Sequence, residues 1–321
     1  MKVESPKILI TDDVHPLLVK GLGQLGHVEF LPEISCADVC SCIGQYEGLV
    51  VNSKIKVDRD FLRQAIRLKW IGRLGSGLDI IDLDAAAEYG VIVMNSPEGN
   101  ANAVGEHALA MLLALFNHIP AADEMVRSLS PWNRENMRGK ELDGLTVGIV
   151  GFGHTGQAFV KKLQGFDVSV LIYDKYKVQI PSIHRSQKES NLVKLLQSSD
   201  VVSLHLPLTD ETHGWVDGKF LDQIKPGGVL INTARGKILK LHDLVQRLQS
   251  GQLAGVCLDV FENEKPDKYS DMDLDNMKML ADSDSVILSP HVAGWTVESK
   301  RKIAETLLQK IIYVASKSNS R

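Results

Sequence analysis

The chain carries no excess of basic charge. Its 321 residues hold 36 Lys and Arg against 40 Asp and Glu, a formal net charge of −4, which excludes a general nucleic-acid binder of the basic-patch kind. No apolar run is long enough to span a bilayer. The opening Met1-Lys2-Val3-Glu4-Ser5-Pro6 does not read as a signal peptide, so a cytoplasmic location is the expectation. Cysteine is scarce, with four residues in all, of which Cys36, Cys40 and Cys42 cluster and Cys257 stands apart. Cys-x-x-x-Cys-x-Cys is not a usual zinc spacing, and among histidines only His27 lies close by. No metal is expected; reduced thiols on a helix are. No tandem repeat is visible. What remains is length enough for one or two domains, each with a core of its own.

The rest of the chain is organised around Thr146-Val147-Gly148-Ile149-Val150-Gly151-Phe152-Gly153-His154-Thr155-Gly156. A short apolar run leads into Gly-x-Gly-x-x-Gly. A helical pattern, Gln157 to Gln164, follows, and then a second apolar run, Val168 to Tyr173, ending at Asp174. Strand, glycine turn, helix, strand and acid are the full context of a dinucleotide fingerprint. Gly151 permits the tight turn, Gly153 the approach of a pyrophosphate, and Gly156 close packing of helix on strand. The free N–H groups of the helix start would face the phosphates. Asp174 suits the ribose hydroxyls of NAD and would repel the extra phosphate of NADP. Lys175 and Lys177 stand beside it as cations that would tolerate one.

Apolar runs alternate with helical patterns on both sides of this stretch. Before it, strands are expected at Lys7–Thr11, Val28–Leu31, Gly48–Asn52, Lys69–Leu74 and Val91–Asn95, with helices between them. After it, strands are expected at Val201–Leu206, Val229–Asn232, Ala254–Val260 and Val286–Ser289. Such alternation predicts an α/β fold of parallel sheets covered by helices on both faces, with ligands at the carboxyl ends of the strands. Gly75-Ser76-Gly77-Leu78-Asp79 follows one such end and reads either as an anion nest or as an ordinary turn. One long, largely apolar helix is expected from Asn100 to His118, ended by Pro120. On it, His107 and His118 read as polar packing residues. Arg127–Leu142 reads as a loop-rich connection, Glu262–Asp284 as a polar acidic stretch, Val297–Val314 as a last helix, and Ser316–Arg321 as a frayed tail.

Three residues after strands of the second half carry possible chemistry: Arg235, Glu264 and His291. Hydride transfer between NAD and a 2-hydroxy acid needs a cation for the carboxylate and keto oxygen, a proton shuttle, and a group that orients the shuttle. Arginine suits the first through its two-pronged hydrogen bonding and permanent charge. Histidine suits the second because its unperturbed pKa lies near neutrality. A carboxylate suits the third. Taken singly, each has a bland alternative: Arg235 capping a turn, Glu264 in a solvated loop, His291 satisfied in the core.

The motifs Gly75–Asp79, Gly151–Gly156, His205-Leu206-Pro207-Leu208-Thr209, Asn232-Thr233-Ala234-Arg235-Gly236, Leu258–Glu264 and Pro290-His291-Val292-Ala293-Gly294 cover nearly the whole chain. In this order they resemble the D-isomer-specific 2-hydroxyacid dehydrogenase family, and most nearly its D-3-phosphoglycerate dehydrogenase branch in a short form without a regulatory domain. The resemblance implies two doubly wound parallel-sheet domains, a Rossmann cofactor domain inserted into a flavodoxin-like substrate domain. Residues 1–99 and 291–321 would form the substrate-binding domain and 100–290 the NAD-binding domain, with the active site in a cleft that closes on binding. A homodimer is implied, with the helix from Asn100 near its interface.

The resemblance assigns Arg235 to the substrate carboxylate and keto oxygen, His291 to acid/base catalysis and Glu264 to orienting it. Asp259 would hold the nicotinamide amide. Further cofactor contacts are implied at His154 and Thr155 in the fingerprint and at His205, Pro207 and Thr212 after the next strand. Others are implied at Thr233 and Ala234, and at His291 and Gly294. Ser76 and Gly77 would bind the substrate carboxylate, and Asn52, Ser53 and Lys54 belong to the substrate side. Phosphoglycerate enzymes of the family usually carry arginine where Asn52 stands, leaving Lys54 as the nearby cation. Trp295 replaces a small residue; it either narrows the substrate pocket or packs at the start of the last helix. The expected activity is NAD-dependent interconversion of 3-phosphoglycerate and phosphohydroxypyruvate in serine biosynthesis. The alternatives are a hydroxypyruvate or glyoxylate reductase, and an NAD-sensing scaffold like the C-terminal-binding-protein corepressors. Glu264 argues against the formate dehydrogenase branch, which pairs its histidine with glutamine.

Overall fold

The computed structural model describes residues 5–177, 179 and 185–318. The first four residues of the opening segment and the last three of the tail lie outside the described residues. The chain divides into two compact units, Met1–Ala101 with Trp295–Arg321, and Asn102–Gly294.

The first unit holds β1 (Lys7–Ile10), β2 (His27–Phe30), β3 (Gly48–Val51), β4 (Trp70–Arg73) and β5 (Ile92–Asn95), ordered β2-β1-β3-β4-β5. Every pairing is parallel. This is the flavodoxin-like order, with its switch point between β1 and β3. Because both faces are covered, the strands read as nearly continuous apolar runs. Strand periodicity then sends alternate residues to opposite cores. Leu9, Leu49, Val51 and Ile71 meet Val39, Phe61, Leu62 and Ala85 on one face. Ile8, Ile10, Val50 and Trp70 meet Leu18, Leu22, Ala304, Leu307 and Ile311 on the other. The last three come from the helix Val297–Ser318, so this face is completed from the far end of the chain. Two glycines permit close approaches here. A Cβ on Gly21 would lie 2.2 Å from Leu308, and one on Gly48 would lie 2.1 Å from the Trp70 ring across the ladder.

The second unit holds β6 (Thr146–Val150), β7 (Ser169–Tyr173), β8 (Ser186–Lys188), β9 (Val201–Leu204), β10 (Gly228–Asn232), β11 (Leu253–Leu258) and β12 (Val286–Leu288). Their order is β12-β11-β10-β9-β6-β7-β8, again all parallel. The order reverses between β6 and β9, which is the Rossmann switch point. One core packs Val202, Leu230 and Val256 against Leu195, Phe220 and Leu244. The other packs Val147, Ile149, Ile172 and Ile231 against Phe159, Val160, Met111 and Leu112.

Several expectations are corrected. The long helix runs Pro97–Phe116, and Pro120 does not end it. His118 at φ 50° breaks the chain, and Pro120 sits in the first turn of a further helix, Ile119–Arg127, where its missing N–H costs nothing. The stretch Glu262–Asp284 contains the helix Asp271–Ala281, started by a capping box between Ser270 and Asp273. The last helix continues to Ser318, past the start of the expected tail. Among the described residues no single helix is long and apolar enough to cross a membrane.

Candidate active site

The fingerprint lies at the carboxyl end of β6. Gly151 has φ +93°, and a Cβ there would sit 2.4 Å from the His205 carbonyl oxygen. Gly156 is held as tightly: its Cβ would meet the Gly151 carbonyl at 2.3 Å. Gly153 is the opposite case: among the described residues, no atom lies within 4 Å of its Cβ position. It caps the helix His154–Leu163 without a side-chain hydrogen bond, so among the described residues no side chain caps the N–H groups of its first turn. This is a cradle for a phosphate group. His154 and Thr155 open the first turn of that helix.

Asp174 follows β7, and its carboxylate accepts hydrogen bonds from the N–H groups of Phe152 (2.8 Å), Tyr176 (3.0 Å) and Lys177 (2.9 Å). Burial pushes this carboxyl up, but those N–H groups and the charge of Lys177 outweigh it and hold it below its ordinary value. Of the two flanking cations, Lys175 pairs with Glu211. Lys177 donates from Nζ to the Phe152 carbonyl at 2.6 Å.

Past β9, His205 is buried, with Nε2 2.9 Å from Ser203 Oγ. Burial pushes its pKa down to about 3, so the ring is neutral. Its Nδ1 and the buried hydroxyl of Thr233 have no hydrogen-bond partner among the described residues, as polar groups built for an external ligand would. Thr212 donates to the Pro207 carbonyl at 2.7 Å and closes the turn after His205. Buried Asn232 shapes the next loop: its Oδ1 accepts from Ala234 N–H at 3.0 Å and its Nδ2 donates to the Arg235 carbonyl at 3.1 Å. Gly236 is obligatory after Arg235, because a Cβ would lie 1.8 Å from the Phe261 carbonyl. Arg235 is half-buried, and its Nη1 donates to the Ala234 carbonyl at 2.7 Å.

His291 follows β12. Its Nδ1 lies 2.8 Å from Glu264 Oε2, while Glu264 Oε1 accepts from Phe261 N–H at 3.3 Å. Burial raises the Glu264 carboxyl, but the hydrogen bond and charge of His291, the Phe261 N–H and the charge of Arg235 prevail and hold it below the ordinary range. His291 has φ 56°, a left-handed conformation uncommon outside glycine. The backbone is over-determined around it. Asp259 accepts from His291 N–H through its carbonyl (2.7 Å), and from Val292 and Ala293 N–H through its carboxylate (2.8 and 2.9 Å). Ser289 Oγ donates a third hydrogen bond to that carboxylate at 2.6 Å. The structure thus places the Asp259 side chain, 1% exposed, inside the loop that carries His291. Gly294 ends the loop and the unit.

The residues expected on the substrate side belong to the first unit, at the ends of β3 and β4. Asn52 N–H donates to Asp12 Oδ2 at 3.0 Å, and Ser53 is exposed. Lys54 Nζ donates to the carbonyls of Thr11 (2.5 Å) and Pro32 (2.8 Å), so its ammonium is turned onto the backbone. The Ser76 carbonyl accepts from Asn95 Nδ2 at 2.6 Å, just before Gly77. Trp295 is 74% exposed, so its ring is not packed at the start of the last helix. Two residues were missed in the sequence. Arg73 ends β4 with its guanidinium over Gly75, whose Cβ would lie 1.9 Å from Nη1. Asn100 keeps a buried Oδ1 without a partner among the described residues. Arg73 was legible as a cation two residues before the Gly-Ser-Gly turn; Asn100 left no signal within its apolar helix.

Comparison with known proteins agrees with the two-unit parallel-sheet fold. A profile of the D-isomer specific 2-hydroxyacid dehydrogenase NAD binding domain matches residues 109–293. D-3-phosphoglycerate dehydrogenase of Archaeoglobus fulgidus is 33% identical over 310 residues, 96% of this chain and 57% of the relative. That of Bacillus subtilis is 33% identical over 309 residues, with the same coverage. The chain thus spans about half the length of the curated relatives it matches. Among solved structures, D-lactate dehydrogenase of Aquifex aeolicus with NAD and lactic acid superposes with a TM-score of 0.86 at 28% identity, covering 98% of this chain and 96% of the other. A glyoxylate reductase from Paecilomyes thermophila gives a TM-score of 0.87 at 25% identity, covering 98% and 97%. A seven-stranded unit with an open glycine cradle, matched almost from end to end by the family's NAD-binding profile, identifies the chain as a member of the D-isomer specific 2-hydroxyacid dehydrogenase family.

Proposed function

We propose that the protein is an NAD-dependent dehydrogenase that interconverts a D-2-hydroxy acid and its 2-keto acid. The observation that carries this reading is the pairing of His291 Nδ1 with Glu264 Oε2 at 2.8 Å, within the field of Arg235, in the unit that holds the glycine cradle. Among the described residues, the open space at Gly153 and the unpartnered His205 Nδ1 and Thr233 hydroxyl fit a dinucleotide. Bound NADH supplies the hydride for C2 of the keto acid. Arg235 holds the carboxylate and polarises the keto oxygen. Because Glu264 engages Nδ1, His291 gives its proton from Nε2 to that oxygen, and in the reverse direction Nε2 takes it back. Glu264 stabilises the cationic ring while it holds the proton. Asp174, fixed by three N–H groups, favours NAD over NADP.

For substrate we infer 3-phosphoglycerate and phosphohydroxypyruvate, hence serine biosynthesis. The names of the 33%-identical relatives and the Arg73 guanidinium beside Gly75 support it. One observation favours a second reading, an unphosphorylated acid such as hydroxypyruvate or glyoxylate: the Lys54 ammonium is already bound to two carbonyls. A homodimer is part of the proposal. No residue of the helix Ile119–Arg127 is buried, and Ile119, Val126, Leu129 and Trp132 are all exposed, apolar side chains of the kind that a second copy covers. Four free thiols suit a reducing, cytoplasmic setting.

The test is NADH oxidation with 3-phosphohydroxypyruvate, hydroxypyruvate, glyoxylate, pyruvate and 2-oxoglutarate, with Arg235→Ala alongside. Fastest turnover of the phosphorylated acid, lost in the variant, is expected. Preference for an unphosphorylated acid establishes the second reading. Binding of NADH with turnover of none of the acids overturns both in favour of a scaffold.

A further inference from the structure

The helix Pro97–Phe116 carries His107, read from the sequence as a packing residue. Its Nε2 lies 2.8 Å from Ser289 Oγ and 3.6 Å from Asp259 Oδ1. Met111, one turn on along the same helix, brings Sδ to 3.8 Å from the same hydroxyl. Ser289 is therefore seated against two successive turns of one helix face.

The direction of this chain of hydrogen bonds follows from its far end. The Asp259 carboxylate accepts backbone N–H groups on both oxygens, so it is an acceptor for the serine as well. The Ser289 hydroxyl spends its proton on Oδ1. Its oxygen is then left to accept from His107, which must carry a proton on Nε2. Among the described residues, His107 is the basic side chain within 4 Å of this almost fully buried carboxylate.

We propose that His107 is a positioning residue for His291, acting through Ser289 and Asp259. The carboxylate that His107 and Ser289 orient holds the N–H groups of Val292 and Ala293, and the carbonyl of the same aspartate holds that of His291. Those bonds keep His291 in its left-handed conformation, with Nδ1 on Glu264. A held backbone confines the ring to the orientation in which Nε2 faces the reacting oxygen. The acid/base role of His291 rests on the dehydrogenase reading above; the grip on its loop does not.

The experiment compares His107→Leu, His107→Gln and Ser289→Ala with the wild type by two readouts. The first is amide hydrogen exchange at Val292 and Ala293, which needs no turnover. The second is kcat and KM with the best 2-keto acid, together with NADH affinity by fluorescence titration. In His107→Leu and Ser289→Ala, exchange quickens by about tenfold or more and kcat falls by a similar factor. NADH affinity and substrate KM stay within about twofold. Glutamine places an N–H donor where Nε2 stands, so His107→Gln restores slow exchange and most of kcat. Unchanged exchange in both disrupting variants overturns the proposal, as does failure of glutamine to restore it. If the leucine variant does not fold, Ser289→Ala decides alone. If the wild type turns over no keto acid, the dehydrogenase reading falls while the exchange data still judge the grip.

Discussion

The two units share one architecture and differ at one crevice. Each is a parallel sheet with helices on both faces, and each has a switch point where the strand order reverses. In the first unit that crevice is filled by the chain itself. Asp12 accepts from its neighbour Thr11 Oγ1 and, across the crevice, from Asn52 N–H, and Lys54 spans the carbonyls of Thr11 and Pro32. In the second unit the same place holds Gly151, Gly153 and, among the described residues, open space and a buried histidine nitrogen without a partner. A carboxylate also stitches strand ends together there, but Asp174 stands one strand away from the crevice and leaves it clear. Topology supplies a crevice twice; side chains decide which one receives a dinucleotide.

The sharpest way to break the contrast is to remove chemistry from the open unit without touching its cradle. His291→Ala is expected to lower kcat by about a thousandfold, within the range of general acid–base catalysis, while NADH still binds in a fluorescence titration. Gly151→Val attacks the cradle instead. Its φ of +93° and the 2.4 Å approach to the His205 carbonyl leave a side chain no room, so NADH affinity should fall by at least about a hundredfold. Unchanged affinity would mean that the dinucleotide sits elsewhere.

Asp174→Ala should weaken NADH by about tenfold and narrow the preference over NADPH, read from paired titrations. Glu264→Gln tests the Glu264–His291 hydrogen bond by stability. The folded Glu264 carboxyl is held below its ordinary value, so its ionised form stabilises the fold above the unfolded value, and this is lost as pH falls through the folded one. The wild type should exceed the variant in urea unfolding at neutral pH, and the gap should close on acidification below the usual carboxylate range. The smallest effect belongs to the closed crevice: Asp12→Ala should cost about 1 kcal/mol of stability through its lost hydrogen bonds and leave NADH affinity unchanged.

Most of this architecture was legible because strands covered on both faces must be apolar throughout, and runs such as Ile8-Leu9-Ile10 and Val147–Val150 announce themselves. The strand Ser186–Lys188 did not, since an edge strand of Ser-Gln-Lys has no buried face to declare. The helix Asp271–Ala281 was hidden by its acidity, although Ser270 and Asp273 offered a capping signal. For the proposed site, residue types after strands made Arg235, Glu264 and His291 candidates, and the family resemblance gave them their roles. What escaped the sequence was the set of hydrogen bonds made after folding. Lys54 as a backbone tie, Asn232 bracketing Ala234 and Arg235, and Asp259 enclosed by the His291 loop all depend on which strand ends become neighbours.

The helix Val297–Ser318, which covers one face of the first sheet, also has a consequence in time. The ribosome delivers the whole second unit, Asn102–Gly294, before Ala304, Leu307 and Ile311 exist to cover Ile8, Ile10 and Val50. The first sheet therefore carries a bare apolar face throughout the synthesis of the dinucleotide unit. During that interval the exposed face needs protection from aggregation.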